Sequence, residues 1–274
     1  MTARRKPPAG RPGRAVLILP ARLASTRLER KLLLAETGKP LLAHTVECAL
    51  AAAAASRGAI ARVLVAADCP ELAAAARAAG AEAVLTDPGH QSGTDRIAEA
   101  ARGVKEDVVI NLQADEPEMP AAAILKLAGL LLDSPGEVMA TLAAPIGAPE
   151  DLNNPNVVKV VLARDGHALY FSRAPIPWVR DGLSGRDPTG VALRHFGIYA
   201  YRREFLLGYS KLPASRLEQI EKLEQLRELE AGHRIACAVV DSVPEGIDTP
   251  ESYAAFVKRC RLRGSSQQFR GATG

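Results

Sequence analysis

Residues 15–31 have the sequence AVLILPARLASTRLERK, in which five apolar residues lead directly into a segment rich in arginine and lysine. An uninterrupted apolar run of this length is typical of a strand buried on both faces of a parallel sheet. Such sheets bind their ligands at the carboxyl ends of the strands, where loops lead into helices. The loop at residues 20–31 is therefore the first candidate for a functional site.

The first half of the chain repeats this alternation of apolar runs and helical patterns. Besides residues 15–19, strands are predicted at 62–66, 82–85, 107–112 and about 138–143, and helices near 41–55, 70–79, 94–102 and 119–132. Strands that alternate with helices indicate a mostly parallel sheet with helices on both faces. We therefore predict an α/β fold.

The second half has a different pattern. It predicts a β-hairpin at 157–162 and 168–171, strands at 193–201 and 234–240, helices at 215–231 and 250–260, and a polar loop at 180–190. We interpret about residues 150–210 as a β-rich insertion within a single domain that spans residues 15–258.

The charge of the chain is unevenly distributed. The net charge is +4, yet residues 1–14 and 258–274 each contain five positive and no negative residues, which leaves −6 for residues 15–257. We predict disordered basic tails at 1–14 and 259–274. A mildly acidic body disfavours DNA binding, and an aromatic content of 4% disfavours stacking on single-stranded nucleic acid.

The cysteines and the apolar segments predict a cytoplasmic protein. The four cysteines have neither the spacing of a zinc site nor that of a redox pair, so free thiols in a reducing compartment are expected. Pro20 and Arg22 interrupt the first apolar run, and no segment approaches the roughly 18 apolar residues of a membrane span.

The loop after the first strand has the composition of a phosphate site without a known glycine motif. It lacks both the dinucleotide-binding GxGxxG pattern and the P-loop. Arg22, Arg27 and Lys31 are suited to hold a triphosphate, because guanidinium and ammonium groups neutralise phosphate oxygens. The alternative is a solvated surface loop.

Two aspartates are candidate ligands for Mg²⁺, which prefers one or two carboxylates completed by phosphates and water. Asp115 follows the apolar run 107–112, and Asp248 lies in the segment Gly246-Ile247-Asp248-Thr249-Pro250. The alternative is that Asp115 caps the next helix, and that Asp248 or Thr249 caps a helix beginning at Pro250.

Several segments occur in the order found in one enzyme family. They are Pro20–Leu28, His90–Arg96, Gln113–Pro117, Asn154–Lys159, Tyr170–Arg173, Arg194–Tyr199, Leu223–Arg227 and Gly246–Pro250. Together they resemble the 3-deoxy-manno-octulosonate (KDO) cytidylyltransferases, or CMP-KDO synthetases, over about residues 15–258. Any one of these motifs is weak, but eight in order are specific.

The resemblance implies a sheet of the nucleotidyltransferase type and the reaction of CTP with KDO to give CMP-KDO and diphosphate. It also implies a Mg²⁺ cofactor, a role in lipopolysaccharide synthesis and a homodimer. Arg22, Lys31, Asp115 and Asp248 would be catalytic, with the two aspartates on the metal. The CTP site would comprise Arg22, Ser25, Lys31, His90, Gln91, Ser92 and Gly93. The sugar acid would contact Gln113, Arg173, His195, Tyr199, Glu224 and Gln225, with Arg173 facing its carboxylate.

Alternatives to these roles and to this function remain. His195 and Tyr199 would share one face of a strand and are alternatively a core pair, and Glu224 and Gln225 are alternatively solvated helix residues. The alternative functions are a cytidylyltransferase for amino-KDO or a sialic-acid-like sugar, a catalytically silent nucleotide-binding protein, and, less favoured, a nicotinamide dehydrogenase.

The sequence departs from the family pattern at two places. Leu28-Glu29-Arg30-Lys31 replaces the usual Leu-Pro-x-Lys pattern, with Arg30 at a position that is commonly glycine. Glu29 adds an anion that Arg30 would offset. Ala114 replaces the glycine before Asp115, which is tolerable only if residue 114 keeps a negative φ.

Overall fold

The strands of the first half form the parallel part of a nine-stranded sheet. This computed structural model describes residues 14–180, 192–209 and 211–271. The strands are β1 (Ala15–Ala21), β2 (Ile60–Ala67), β3 (Glu82–Leu85), β4 (Val108–Asn111), β5 (Met139–Pro145), β6 (Lys159–Leu162), β7 (Ala168–Ser172), β8 (Leu193–Arg202) and β9 (Ile235–Val239). The parallel part has the spatial order β3-β2-β1-β4. The predicted α/β fold with a mostly parallel sheet is confirmed.

Strand β8 extends the sheet beyond this parallel part. It lies between β4 and β5 and is antiparallel to both, and β9 completes the edge parallel to β5. The hairpin of β6 and β7 forms as predicted and joins the sheet through β6 and β8. Part of the predicted insertion, residues 193–202, is therefore a strand of the main sheet. The predicted polar loop at 180–190 lies outside the described residues from residue 181 onward.

Helices cover both faces of the sheet. They are α1 (Leu41–Ala55), α2 (Pro70–Ala78), α3 (Gly93–Ala101), α4 (Ala121–Leu132), α5 (Pro149–Asn153), α6 (Arg203–Tyr209), α7 (Arg216–Glu221), α8 (Leu226–Glu230) and α9 (Pro250–Gly271). Alternate residues of β1 enter opposite cores: Leu17 and Leu19 pack on one side, Val16 and Ile18 on the other, and all four are fully buried. Burial on both faces explains why the strand has no polar alternation.

Two predicted helices differ from the structure. The predicted helix 215–231 is interrupted at Lys222, which has a left-handed φ of 55° and ends α7. The predicted helix 250–260 is longer than expected, because α9 runs from Pro250 to Gly271 and so extends into the predicted C-terminal tail. This extension is held by Glu118, which forms ion pairs with Arg259 and Arg263 and is itself almost buried. The predicted N-terminal tail lies outside the described residues except for Arg14.

Within the described part of the chain, no helix is both long enough and apolar enough to cross a lipid bilayer. All four cysteines are free thiols in the structure.

Candidate active site

A cleft lies at the carboxyl ends of β1 and β4, where the sequence predicts the nucleotide site. The loop after β1, the segment that begins α3, the loop after β4 and the segment before α9 supply its walls. Every residue predicted for catalysis, metal or CTP lines it: Arg22, Ser25, Lys31, His90, Gln91, Ser92, Gly93, Asp115 and Asp248. The fold therefore brings these residues together from four separate segments.

The two predicted metal ligands converge on one ammonium group. Lys31 Nζ donates to Asp115 Oδ2, lies 2.8 Å from Asp248 Oδ1 and donates to the carbonyl of Ile247 at 3.0 Å. The Arg27 guanidinium lies 3.0 Å from the other carboxylate oxygen, Asp248 Oδ2. Carboxylates from opposite halves of the chain thus lie side by side and are neutralised by two cations.

Neither aspartate has the capping role considered as its alternative. Helix α4 begins at Ala121 after Pro120, too far along the chain for Asp115 to cap it. At the start of α9, the capping acceptor is Thr249 Oγ1, which accepts the N–H of Ser252 at 3.2 Å. Both carboxylates are therefore free to face the cleft.

The charges of the cleft stabilise one another. Burial opposes the charged form of Lys31, but the carboxylates of Asp115 and Asp248 outweigh it and raise the pKa of the ammonium. Burial likewise opposes ionisation of Asp248, yet its bonds to Lys31 and Arg27 lower the pKa of the carboxyl. Lys31 and Asp248 are thus both charged at neutral pH.

Backbone hydrogen bonds hold the two aspartate loops in register. The N–H of Ile247 donates to the carbonyl of Asp115 at 2.8 Å, and Thr45 Oγ1 of α1 donates to the carbonyl of Ala114 at 2.8 Å. Ala114 is not among the described residues with positive φ, so the condition for replacing the family glycine is met.

The departure from the family pattern at residues 28–31 has a visible structural consequence. Arg30 adopts a left-handed conformation with φ of 50°, which non-glycine residues rarely adopt. Its guanidinium forms an ion pair with Glu71 in the first turn of α2. The loop is also tied to Asp68, whose carboxylate accepts the N–H of Leu23 at 2.9 Å, while Cys69 occupies the N-cap position of α2.

Arg22 is exposed in the cleft, and its side chain has no hydrogen bond or ion pair with any other described residue. At the N-terminus of α3, Ser92 Oγ caps the helix by accepting the N–H of Asp95 at 3.1 Å. The cleft therefore combines an unpaired guanidinium with the positive end of a helix dipole, and both favour an anionic ligand.

Arg96 is a charged cleft residue that had not been predicted from the sequence. Arg96 of α3 is almost fully buried, and its Nη1 donates to Thr86 Oγ1 at 2.6 Å while the side chain lines the cleft. Its position could have indicated this role, because Arg96 lies four residues after the capping Ser92 and ends the family segment His90–Arg96.

A second pocket adjoins the cleft and shares Gly93, Gln113 and Glu224 with it. Of the residues predicted for the sugar acid, it contains Gln113, Tyr199, Glu224 and Gln225. Glu224 is fixed by Thr94, whose hydroxyl donates to Oε2 at 2.9 Å. Asn111 and Lys222 also line this pocket and had not been predicted from the sequence.

Several buried amide atoms at this second pocket have no hydrogen-bond partner. Both polar side-chain atoms of Asn111 and the Nε2 of Gln225 have no hydrogen-bond partner in the structure, although the residues are only 1% and 4% exposed. Buried polar groups are almost always hydrogen-bonded in a working protein. A ligand with several hydroxyl groups would supply the missing partners.

Two residues predicted for the sugar acid are not among those that line the pocket. His195 is buried, its Nε2 lies 2.9 Å from Thr141 Oγ1, and burial lowers the pKa of its imidazole to about 3. It packs edge-on against Phe171, and its ring centroid lies 5.5 Å from that of Tyr199. The core-pair alternative therefore holds for His195, whereas Tyr199 also lines the pocket. The Arg173 guanidinium donates from Nε to the carbonyl of Glu221 at 2.7 Å and from Nη1 to the carbonyl of Pro155 at 2.8 Å.

A buried carboxyl in α8 makes the stability of the fold depend on pH. Glu228 is fully buried, and burial raises the pKa of its carboxyl to about 7. The raised pKa means that the folded chain binds more protons than the unfolded chain. Its stabilising contribution is present below pH 4.5 and is lost as the pH rises through about 7. We expect Glu228→Gln to gain roughly 3 kcal/mol relative to the unmodified chain between pH 4.5 and 9.

Urea unfolding of both proteins at pH 5 and pH 8.5 measures most of this change. A difference in unfolding free energy that stays constant with pH would contradict the burial of an ionisable carboxyl at this position.

Comparison with known proteins agrees with this geometry. The family model described as "Cytidylyltransferase" matches residues 16–235. The cleft lies at the carboxyl ends of parallel strands and is lined by cationic side chains. Together with the family match, this makes the chain a cytidylyltransferase by fold and family. The solved 4-diphosphocytidyl-2C-methyl-D-erythritol synthase of Anaerococcus prevotii has the same fold at 12% identity, with a TM-score of 0.58 over 88% of this chain and 95% of its own.

More similar relatives define the family. The 3-deoxy-manno-octulosonate cytidylyltransferase of Rhodopirellula baltica is 47% identical over 252 residues, which cover 90% of this chain and 98% of the relative. That of Xanthomonas campestris pv. campestris strain B100 is 50% identical, with 86% and 85% coverage. The solved CMP:2-keto-3-deoxy-manno-octonic acid synthetase complexed with CTP is 40% identical, with a TM-score of 0.82 over 92% of this chain and 99% of its own. The chain belongs to the 3-deoxy-manno-octulosonate cytidylyltransferase family.

Proposed function

We propose that this chain transfers CMP from CTP to KDO, releases diphosphate and supplies CMP-KDO for lipopolysaccharide synthesis. The observation that carries the proposal is the convergence of Asp115 and Asp248 on one cation, in a cleft that opens into a pocket of unpartnered amides. The first feature suits the reacting phosphate, and the second suits a sugar with many hydroxyl groups. The family relationship supports both assignments.

The donor set at Lys31 fits a magnesium ion. Two carboxylate oxygens and the carbonyl of Ile247 surround the Lys31 ammonium. Such hard oxygen atoms are the ligands that Mg²⁺ prefers. Among the described residues, no group of three or more His, Cys, Asp or Glu side chains is arranged to hold a metal ion by itself. Two carboxylates suffice for Mg²⁺, because phosphates and water complete its coordination. We propose Asp115 and Asp248 as the protein ligands.

In this mechanism the anomeric hydroxyl oxygen of KDO attacks the α-phosphorus of CTP, and the bond from that phosphorus to the bridging oxygen of diphosphate breaks. The hydroxyl proton leaves to solvent. Because the sugar oxygen attacks the phosphorus directly, no covalent intermediate on the protein is needed. Bound Mg²⁺ would lower the pKa of the hydroxyl and neutralise charge on the phosphate. Arg22 holds the triphosphate with its unpaired guanidinium, and Lys31 neutralises the carboxylates and then phosphate oxygens.

The adjoining pocket orients the sugar. Gln113, Asn111 and Gln225 present amide donors and acceptors, and Glu224 presents a carboxylate held by Thr94. Because the pocket and the cleft share Gln113 and Glu224, a sugar bound there lies next to the nucleotide. Holding both reactants in one orientation removes much of the entropic barrier to their reaction.

Arg22→Ala should weaken CTP binding and leave KDO binding nearly unchanged. The guanidinium faces the cleft without a protein partner, so its contribution is expressed only when an anion binds there. A charge-assisted bond of this kind is worth about 2 kcal/mol, or roughly thirtyfold in the KM for CTP. Steady-state kinetics with each substrate varied in turn would measure it. Equal effects on both substrates would contradict the assignment of Arg22 to the phosphates.

Release of diphosphate from CTP, UTP, ATP and GTP, with and without KDO and Mg²⁺, tests the proposed function. We expect release only when CTP, KDO and Mg²⁺ are all present. Release with amino-KDO or a sialic acid instead of KDO would assign the related sugar specificity. CTP binding without release from any sugar acid would assign a silent nucleotide-binding protein.

We also propose that the protein is a cytoplasmic homodimer. The free thiols suit a reducing compartment. Leu169, Trp178 and Ile220 expose more than half of their side chains in the second half of the chain, which suits a surface covered by a second copy. Light scattering should give twice the 29.0 kDa of one chain.

A further inference from the structure

One buried carboxylate fastens the C-terminal helix α9 to the loop after β4. Glu118 Oε2 accepts Arg259 Nε at 3.0 Å and also Arg259 Nη2, while Glu118 Oε1 lies 2.7 Å from Arg263 Nη2. The Glu118 side chain is only 7% exposed, so solvent screens these contacts less than those of a surface ion pair. We call Glu118, Arg259 and Arg263 the α9 clamp.

The α9 clamp joins the two chain segments that carry the proposed metal ligands. Glu118 lies three residues after Asp115 in the same loop. Asp248 lies two residues before α9, and its N–H donates to Ser252 Oγ in the first turn of that helix at 3.1 Å. Because Asp248 is bonded to the start of the helix, a movement of α9 would move this carboxylate relative to Asp115.

Near its start, α9 is held by apolar contacts. Its first turns pack in a small cluster of buried residues: Leu41, Ile247, Tyr253, Phe256 and Val257. The α9 clamp attaches the helix further along, since Arg263 lies seven residues beyond Phe256, or about 10 Å along the helix axis. Attachment at a second, distant point prevents a helix from pivoting about the first, so the clamp fixes the direction of α9.

A groove separates the start of α9 from the segment that precedes it. Its lining comprises residues 244–247, Ser252 and Ala255 of α9, and the three residues of the α9 clamp. Because side chains do not fill this space, packing on this side of the helix does not fix the distance between the segment and α9. The ion pairs of the clamp supply that constraint.

We propose that the α9 clamp is a positioning group for the divalent metal ion, because it holds α9 so that Asp248 stays beside Asp115. Mg²⁺ demands nearly ideal octahedral geometry, so its affinity depends on how firmly its ligands are placed. The inference rests on the proposed function, since it needs the metal site proposed there. Both arginines lie beyond residues 16–235, the range that the cytidylyltransferase family model matches.

The Mg²⁺ requirement of Glu118→Leu tests the α9 clamp. This change removes both acceptor oxygens and should raise the Mg²⁺ concentration at half-maximal rate about tenfold, as expected for the loss of a group that orients a metal ligand. Turnover at saturating Mg²⁺ should stay near normal, because excess metal compensates for weaker binding. Lys258→Gln removes a charge from an exposed residue of α9 outside the clamp and is the matched control. An unchanged Mg²⁺ requirement in Glu118→Leu would overturn the proposal.

Calorimetry of CTP binding, without KDO, measures the same effect in the absence of turnover. We expect Mg²⁺ to increase the affinity of the unmodified chain for CTP, and this gain should shrink about tenfold in Glu118→Leu. The affinity for CTP in EDTA should not change. An equal gain in both proteins, together with a lower melting temperature of the variant, would assign the clamp to stability alone and overturn the proposal.

Hydrogen exchange of the ligand-free chain tests the geometry by itself. The N–H of Ile247 donates to the carbonyl of Asp115 and joins the two ligand segments directly. In Glu118→Leu this amide should exchange faster, whereas the amide of Leu17 in the buried strand β1 should not. Unchanged exchange at Ile247 would show that the clamp does not hold the segments together. If Glu118→Leu does not fold, the double variant Arg259→Gln/Arg263→Gln should give the same changes.

These results are distinguishable from failure of the proposed function. If the unmodified chain releases no diphosphate from CTP and KDO, the proposed reaction has failed, while calorimetry with Mg²⁺ and CTP still decides the role of the clamp. If Mg²⁺ does not increase the affinity of the unmodified chain for CTP, the proposed metal site is wrong and the inference fails with it.

Discussion

Asp115→Asn should lower turnover of CTP and KDO at least about 10²-fold, and Asp248→Asn should do the same. Each substitution keeps the size of the side chain and removes one of the two negative charges that meet at Lys31. An amide is a poor ligand for Mg²⁺ and leaves the ion with a single protein carboxylate. The loss therefore falls on the transition state and appears in turnover rather than in the KM for KDO.

Asp133→Asn is the matched control for this pair of variants. Asp133 is an exposed aspartate after α4, outside the cleft, and its substitution should leave turnover unchanged. Thermal unfolding should show that all three variants fold. Near-normal turnover in either Asp115→Asn or Asp248→Asn would remove that residue from the proposed metal site.

Lys31→Ala should produce the other large effect, a loss of turnover of about 10²- to 10³-fold. The ammonium is bonded to both aspartates and the Ile247 carbonyl, so its removal leaves two neighbouring carboxylates without their shared cation. It also removes the positive charge proposed to neutralise the leaving diphosphate. The Mg²⁺ concentration at half-maximal rate should not rise, because Lys31 and the metal compete for the same oxygens.

A Mg²⁺ titration of the Lys31→Ala variant separates these contributions. Lys258→Ala, on the exposed side of α9, controls for the loss of one lysine. Recovery of normal turnover at high Mg²⁺ would show that Lys31 only assembles the metal site. It would contradict a role of Lys31 toward the phosphates.

The elements that the sequence predicted well are those with a local signal. Helix α1 was predicted at 41–55 and has these bounds, and β1 differs from its prediction only by two residues at its end. Burial on both faces makes a parallel strand uniformly apolar, so its pattern is visible without knowledge of its neighbours. The site loops were found for a related reason, since polar residues directly after such strands mark the ligand-binding edge.

What the sequence did not reveal depends on contacts between distant segments. The sequence around Lys222 has a helical pattern and does not predict the left-handed turn there. The contacts that hold this turn come from Arg173, about fifty residues earlier in the chain. The continuation of α9 depends in the same way on Glu118, which binds Arg259 and Arg263 from far along the chain. From composition alone, the segment that contains these arginines was predicted to be a disordered basic tail.

The position of β8 between β4 and β5 was also hidden, since alternation predicts a strand but not its neighbours. The burial of His195 against Thr141 and Phe171 follows from that position.

A crystal structure with CTP and Mg²⁺ bound would test the central claim most directly. We expect one metal ion within about 2.1 Å of a carboxylate oxygen from each of Asp115 and Asp248, bridging to an α-phosphate oxygen, with Arg22 on the triphosphate. A structure in which either carboxylate stays away from the ion, or in which the nucleotide binds outside the cleft, would contradict the account.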